Sequence, residues 1–206
     1  EAVACYARVL ALEPNDAAAL NDRGVALLAL QRAEEALADF NAALAADAGA
    51  GGPLAKKGIA ATLALRGEAL RALGRAEEAA EGFERAIARD AQHWEAWAGL
   101  GTVQLEREKF DAAIAAFNQA LAVRPGEASA HLGRARAAKG LGNLPAAAFD
   151  VDRALTIEPG NAAALSFRVG VRRELGRREE ALSDCDRALA LTGDDLSMHN
   201  ARGVLL

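Results

Sequence analysis

The chain repeats itself every 34 residues. Pro125 and Pro159 stand 34 apart, as do Ala113, Ala147 and Ala181, and again Ala120, Ala154 and Ala188. Gly67 and Gly101 keep the same interval, and Gly203 follows Gly101 by 102, three periods on. Gly24 precedes Gly67 by 43, which places an insertion of 9 residues between them. A fixed period in this range marks a stack of supersecondary units, none of which can bury its apolar face alone. Such a chain has no central core; each unit is buried against its neighbours.

Each unit reads as two helices. Between Asp111 and Val123, the residues Ala113, Ile114, Phe117, Ala120 and Leu121 form one stripe. That is the i, i+3, i+4, i+7 pattern of an amphipathic helix. A first helix carrying Trp97, Leu100 and Gly101 precedes it, separated by a break at Arg107-Glu108-Lys109. Other breaks fall at Leu73-Gly74-Arg75, Leu141-Gly142-Asn143 and Leu175-Gly176-Arg177, where glycine can end a helix in the left-handed conformation. Pro14, Pro125 and Pro159 close second helices, and Asn15-Asp16 and Gly160-Asn161 offer caps for the helices that follow. No β-branched run alternates with period two, so no sheet is expected. Composition agrees: the chain is 52% hydrophobic and only 4% aromatic, with alanine, the best helix former, making up the difference.

The units run over 17–50, 60–93, 94–127, 128–161 and 162–195. Their small residues are placed for close packing. Gly24, Gly67, Gly101 and Ala135 hold the eighth position, and alanine recurs at the twentieth and twenty-seventh. The twenty-fourth position carries Phe40, Phe83, Phe117, Val151 and Cys185. Large and small residues must face each other if the interior is to reach native density.

Two motifs name a family. W-x2-L-G stands at Trp97, Leu100 and Gly101, followed by A-x3-F-x2-A at Ala113, Phe117 and Ala120 and then Pro125. This pattern resembles the tetratricopeptide repeat over nearly the whole chain. The resemblance implies an all-α fold, a right-handed solenoid of stacked antiparallel hairpins, in one array over residues 1–206. Residues 1–14 look like the second helix of a preceding repeat, with Ala2, Tyr6, Val9 and Pro14 in register, and 196–206 like a shortened first helix. The departures are local. The usual aromatic of the eleventh position is Leu27, Leu70, Gln104, Ala138 and Arg172, and Val169 replaces the small residue of the fifth repeat.

The sequence opens and stops inside its own pattern, without a starting Met, and so reads as an excerpt of a longer array or multidomain protein. The apolar Val204, Leu205 and Leu206 also suggest end-to-end stacking of two copies. The insertion, Asp47 to Gly58, reads as a flexible loop, with Pro53 placed to start a helix running to about Leu73. A phosphate loop does not fit there. The spacing departs from G-x4-G-K-[ST], and no Ser or Thr follows Lys57.

No constellation for chemistry is visible. His93, His131 and His199 are isolated, whereas a zinc site needs convergent ligands. His131 and His199 share the fourth position with Trp97 and read as packing residues. Cys5 and Cys185 lie on different units, which suits a reducing compartment better than a disulfide framework. No Ser-His-Asp order, cofactor motif or transmembrane run appears. The chain therefore reads as non-enzymatic, without cofactor or metal, and cytoplasmic, or lumenal if an N-terminal signal has been removed.

Function then falls to the surface. In the family, positions 2, 5, 9, 12 and 13 of the first helices face a concave groove. Here these include Asn21, Val25, Leu28, Ala64, Glu68, Arg71, Glu95, Thr102, Glu106, Ser129, Arg136, Lys139, Ser166, Arg173 and Asn200. Residues 1–123 carry a net charge of −6 (12 Lys+Arg, 18 Asp+Glu) and residues 124–206 a net of +1 (12 and 11). The groove is expected to hold an extended peptide or helix of mixed charge, its acidic part toward Arg136, Lys139 and Arg173. The Lys/Asn set by which some family members clamp a C-terminal carboxylate is absent: Asn21, Val25, Leu65, Glu95 and Gly99 stand in its places. The leading function is a protein-interaction scaffold or adaptor. The alternative is the non-catalytic repeat region of a larger enzyme, such as a glycosyltransferase. A pI near 5.3 and the lack of a basic stripe argue against the RNA-binding pentatricopeptide relatives.

Overall fold

The computed structural model describes residues 1–50, 56–193 and 196–205. The described residues form twelve α-helices and no strand. They divide into two compact units. The first, Glu1–Arg107, holds α1 (Ala2–Leu12), α2 (Ala17–Ala29), α3 (Ala33–Ala50), α4 (Lys56–Ala72), α5 (Ala76–Arg89) and α6 (Trp94–Glu106). The second, Glu108–Leu206, holds α7 (Phe110–Val123), α8 (Ala128–Gly140), α9 (Leu144–Ile157), α10 (Ala162–Glu174), α11 (Arg178–Thr192) and α12 (Leu196–Leu205). Within each unit every helix packs on the next. First helices also touch across a repeat, α2 with α4, α4 with α6 and α10 with α12.

The helix ends follow local chemistry. Asp16 caps α2, its carboxylate accepting from the amides of Ala18 at 2.9 Å and Ala19 at 3.1 Å. Asn161 caps α10 through the Ala164 amide, and Asn143 caps α9 through that of Ala146. The hairpin turns need one residue in the left-handed region, and Gly74, Gly142 and Gly176 take it at φ near +73°. In the two repeats without that glycine, Gln31 and Glu108 adopt the same conformation, at φ 59° and 57°. Helices α1, α7 and α9 end two residues before Pro14, Pro125 and Pro159. The first repeat has Ala48 in place of that proline. Its second helix, alanine-rich, runs on to Ala50, whereas the second repeat, with Ala91 in the same place, ends its helix at Arg89. The expectation of a loop from Asp47 is corrected to this extent; a helix start at Pro53 lies outside the described residues.

The core is built at the positions where large meets small. Phe40 and Phe83 are fully buried and Phe117 nearly so, as are Val151 and Cys185 in the equivalent places. A Cβ on Gly24 would stand 2.6 Å from Phe40 Cε1, and one on Gly67 would stand 2.9 Å from Phe83 Cε1. A glycine of the next first helix also closes on the ring: Gly99 lies against Phe83 and Gly133 against Phe117. Phe83 thus meets two glycines, one from each of two first helices, and carries the contact from one repeat to the next. The cost of glycine in these helices, about 1 kcal/mol against alanine, is offset by this approach.

Trp97 and His131, both at the fourth position, reach back to the chain entering their helices. The Trp97 indole donates to the Ala91 carbonyl at 3.0 Å. His131 is buried, with Nε2 3.1 Å from the Pro125 carbonyl oxygen and Nδ1 3.3 Å from Asp150 Oδ1. His199 departs from the expected packing role: it is exposed on α12.

Candidate functional site

The first helices carry their exposed side chains in stripes. In α8 the exposed positions are Ser129, Arg136 and Gly140, and in α10 they include Ala163, Arg173 and Glu174. Among the residues expected to face a groove, Val25, Glu95, Glu106, Ser129, Arg136, Arg173 and Asn200 are exposed. Asn21, Glu68, Arg71, Thr102, Lys139 and Ser166 are half-buried. Ala64, in the same register, is buried at 5% exposure and lines nothing.

Many of these side chains are already engaged. In the first unit Arg71 bonds Glu68 at 3.0 Å and Glu106 at 2.9 Å, joining α4 to α6. Burial opposes the Arg71 charge, yet the two carboxylates outweigh it and hold the guanidinium above its ordinary range. Thr102 donates to the Ala98 carbonyl, and Glu95 lies 3.4 Å from His93. Asn21 buries its Oδ1 without a donor. In the second unit Lys139 bonds Glu174 at 2.7 Å and lies 5.8 Å from the Phe167 ring centroid, joining α8 to α10. The Arg71–Glu106 and Lys139–Glu174 pairs are equivalent, each joining the twelfth position of one repeat to the thirteenth of the next. Ser129 bonds Glu127, and Ser166 donates to Met198 Sδ.

A second set of residues went unread in the sequence. Arg23 forms two bonds with Asp39, Arg134 two with Asp150, and Arg168 two with Asp184, in each case 16 residues on. Every one of these arginines stands at the seventh position of its repeat and every carboxylate at the twenty-third. The guanidinium also reaches back to the twenty-fifth position of the preceding repeat. Arg66 bonds Asn41, Arg134 bonds Asn118, Arg168 bonds Asp152, and Arg202 bonds Asp186. Arg134 and Arg168 do both, each locking its own hairpin and tying it to the one before. Burial works against the Arg168 charge, but its bonds to Asp184 and Asp152 raise it above the ordinary value. The recurrent spacing of 16 was the available signal.

These bridges floor two equivalent hollows. One, of about 380 Å³, lies over Arg134 and Asp150 and is rimmed by Ile114, Leu141 and Phe149. The other, of about 250 Å³, lies over Arg23 and Asp39 beside Val3 and Leu27. Neither includes a residue of the expected groove. Phe149 is 64% exposed at a position held by Ala38 and Ser183 in other repeats. Cys185 is fully buried, and burial pushes its thiol up, with Asp186 and Asp184 adding to the effect. Cys5 is exposed. No described helix is long and apolar enough to cross a membrane.

Stacked two-helix hairpins at a 34-residue period, with glycine set against phenylalanine in the packing, define a helical-repeat protein. The tetratricopeptide-repeat family model matches residues 1–52, 65–115 and 99–164, and the chain belongs to that family. Solved structures agree on the fold. YrrB, described as a TPR protein with an unusual peptide-binding site, superposes at a TM-score of 0.67 and 21% identity, over 96% of this chain and 97% of that one. TTC0263, a thermophilic TPR protein of Thermus thermophilus, gives 0.72 and 22% over 92% and 98%. The Cut9–Hcn1 assembly of the APC/C gives 0.83 and 16%, the match covering 98% of this chain and 38% of that one. A search of curated protein sequences gives no match.

Proposed function

We propose that this chain is a non-catalytic protein-interaction scaffold, a single array over residues 1–206 that takes a partner's peptide or helix along its first helices. The observation that carries this reading is the difference between the two faces of those helices. One face is consumed by packing, with Leu27, Leu70, Val103, Ala135 and Val171 buried. The other carries Val25, Glu95, Glu106, Ser129, Arg136, Arg173 and Asn200 into solvent in a repeated register. Packing does not require so varied a set of exposed residues at fixed positions, and a partner able to span several repeats can read it. YrrB has a peptide-binding site on the same fold, which supports the reading. Residues that join first helices, Arg71 with Glu106 and Lys139 with Glu174, hold the stripe at a set spacing, so a bound segment meets a preorganised surface.

The test is peptide selection from a random displayed library against the whole chain, followed by hydrogen exchange with the selected peptide bound. Protection concentrated in α2, α4 and α6, or in α8, α10 and α12, is the expected result. Protection confined to the second helices, or a library that yields no binder, overturns the proposal.

A further inference from the structure

We infer that the first-helix face of the second unit takes an acidic peptide segment, seated on Arg136 and Arg173. This rests on the scaffold reading and gives its ligand a charge and a place. The argument comes from which cations are already matched. On α8 and α10, Arg134 is matched by Asp150, Arg168 by Asp184 and Asp152, and Arg172 by Asp184 and Glu180. Arg136 and Arg173 are both exposed and pair with no carboxylate among the described residues. One helical turn after Arg136 on α8 lies another cation, Lys139, rather than an acid.

Lys139 joins the two helices that carry these arginines. It leaves α8 three residues after Arg136 and crosses to α10, where it meets Phe167 and Glu174. A Cβ on Gly170 would stand 3.6 Å from its Nζ. Arg173 lies one turn beyond Gly170. Gly170 holds the place where Arg136 stands one repeat earlier, and the Lys139 ammonium lies over it. The first unit offers no such site. Its groove cation, Arg71, is consumed by Glu68 and Glu106. An acidic segment therefore gains on α8 and α10 what the first unit has already satisfied internally. Because the arginines are solvated, their attraction acts chiefly on encounter rate and weakens as salt rises.

The experiment is fluorescence anisotropy on the full chain, with a labelled peptide alternating Glu and Ala and a matched peptide with Lys for Glu. The expected result is binding of the Glu peptide only, weakened by salt. Arg136→Glu should weaken it roughly tenfold, and Arg136→Glu with Arg173→Glu should abolish it. Arg153→Glu is the control. It makes the same charge change at an exposed arginine on α9, a second helix, and should leave binding intact. Circular dichroism confirms that the variants fold, as expected for exposed residues. Equal loss in Arg153→Glu, indifference to the α8 and α10 changes, or no binding of the Glu peptide overturns the inference. If library selection instead returns neutral or basic peptides that protect the first helices, this inference fails while the scaffold reading stands.

Discussion

Arg168 and Asp184 meet across the α10–α11 hairpin through two parallel bonds, Nε to Oδ2 at 2.7 Å and Nη2 to Oδ1 at 2.5 Å, with Asp184 only 1% exposed. Arg172 adds a third bond to the same carboxylate at 2.7 Å. Asp184→Ala strips the carboxylate from two guanidiniums at once. Breaking a buried pair in this way costs about 3–5 kcal/mol. Urea denaturation should show that loss. Asp186→Ala breaks the exposed pair with Arg202, and should cost less than about 1 kcal/mol. Equal costs for the two would show that burial does not set the strength of the bridges.

Gly67 and Phe83 offer a test of the packing. Phe83 is fully buried, so a new methyl at Gly67 meets a ring with nowhere to go. Overpacking of this kind costs about 1–3 kcal/mol, against about 1 kcal/mol gained from helix propensity. Gly67→Ala is expected to lower the melting temperature, and adding Phe83→Leu should recover part of the loss. Gly170→Ala, which meets only Lys139 Nζ, should instead raise it.

Gln31 holds a left-handed conformation where Gly74, Gly142 and Gly176 stand in other repeats. A side chain there costs about 1 kcal/mol or more. Gln31→Gly is predicted to stabilise the chain by up to about 1 kcal/mol in a denaturant melt. Gly142→Ala is predicted to destabilise it. Opposite signs in both would show that the turns are not limited by backbone strain.

Glu78 accepts two bonds from Arg75, each 2.7 Å, and these hold its carboxyl below the ordinary 4.5. Glu35 stands in the same relation to Arg32. A carboxyl depressed in the folded state stabilises it above the unfolded value, and that contribution is lost as pH falls through the folded value. Carboxyl titration by NMR should place Glu78 below 4.5, and Arg75→Gln should move it back up. Both groups lie at the surface, so the effect should shrink in salt.

The fold was legible because its packing residues repeat at one period. Phe40, Phe83 and Phe117 and the glycines facing them encode helix, hairpin and junction together. The arginine bridges have the same period and passed unread. Arg134 and Asp150 lie on different helices, so no single helical wheel shows them together, and their charges suggest a solvated surface. The exposure of Arg136 and Arg173 followed from register alone. The engagement of Arg71 with Glu106 and of Lys139 with Glu174 did not, because each pair joins separate repeats and exists only once hairpins stack. The extension of α3 to Ala50 was not legible, because the second repeat also lacks the proline, at Ala91, and its helix still ends at Arg89. His199 kept the position of His131 but not its burial, because the burial of His131 depends on α9 packed beside α8 and not on its place in the repeat.

A crystal structure of the whole chain with a library-selected peptide tests the central claim most directly. The peptide is predicted to lie along the exposed stripe of the first helices, and an acidic one to place a carboxylate on Arg136. A peptide seated instead in the hollow over Arg134 and Asp150, against Phe149, would contradict the account and move the working surface to the second helices.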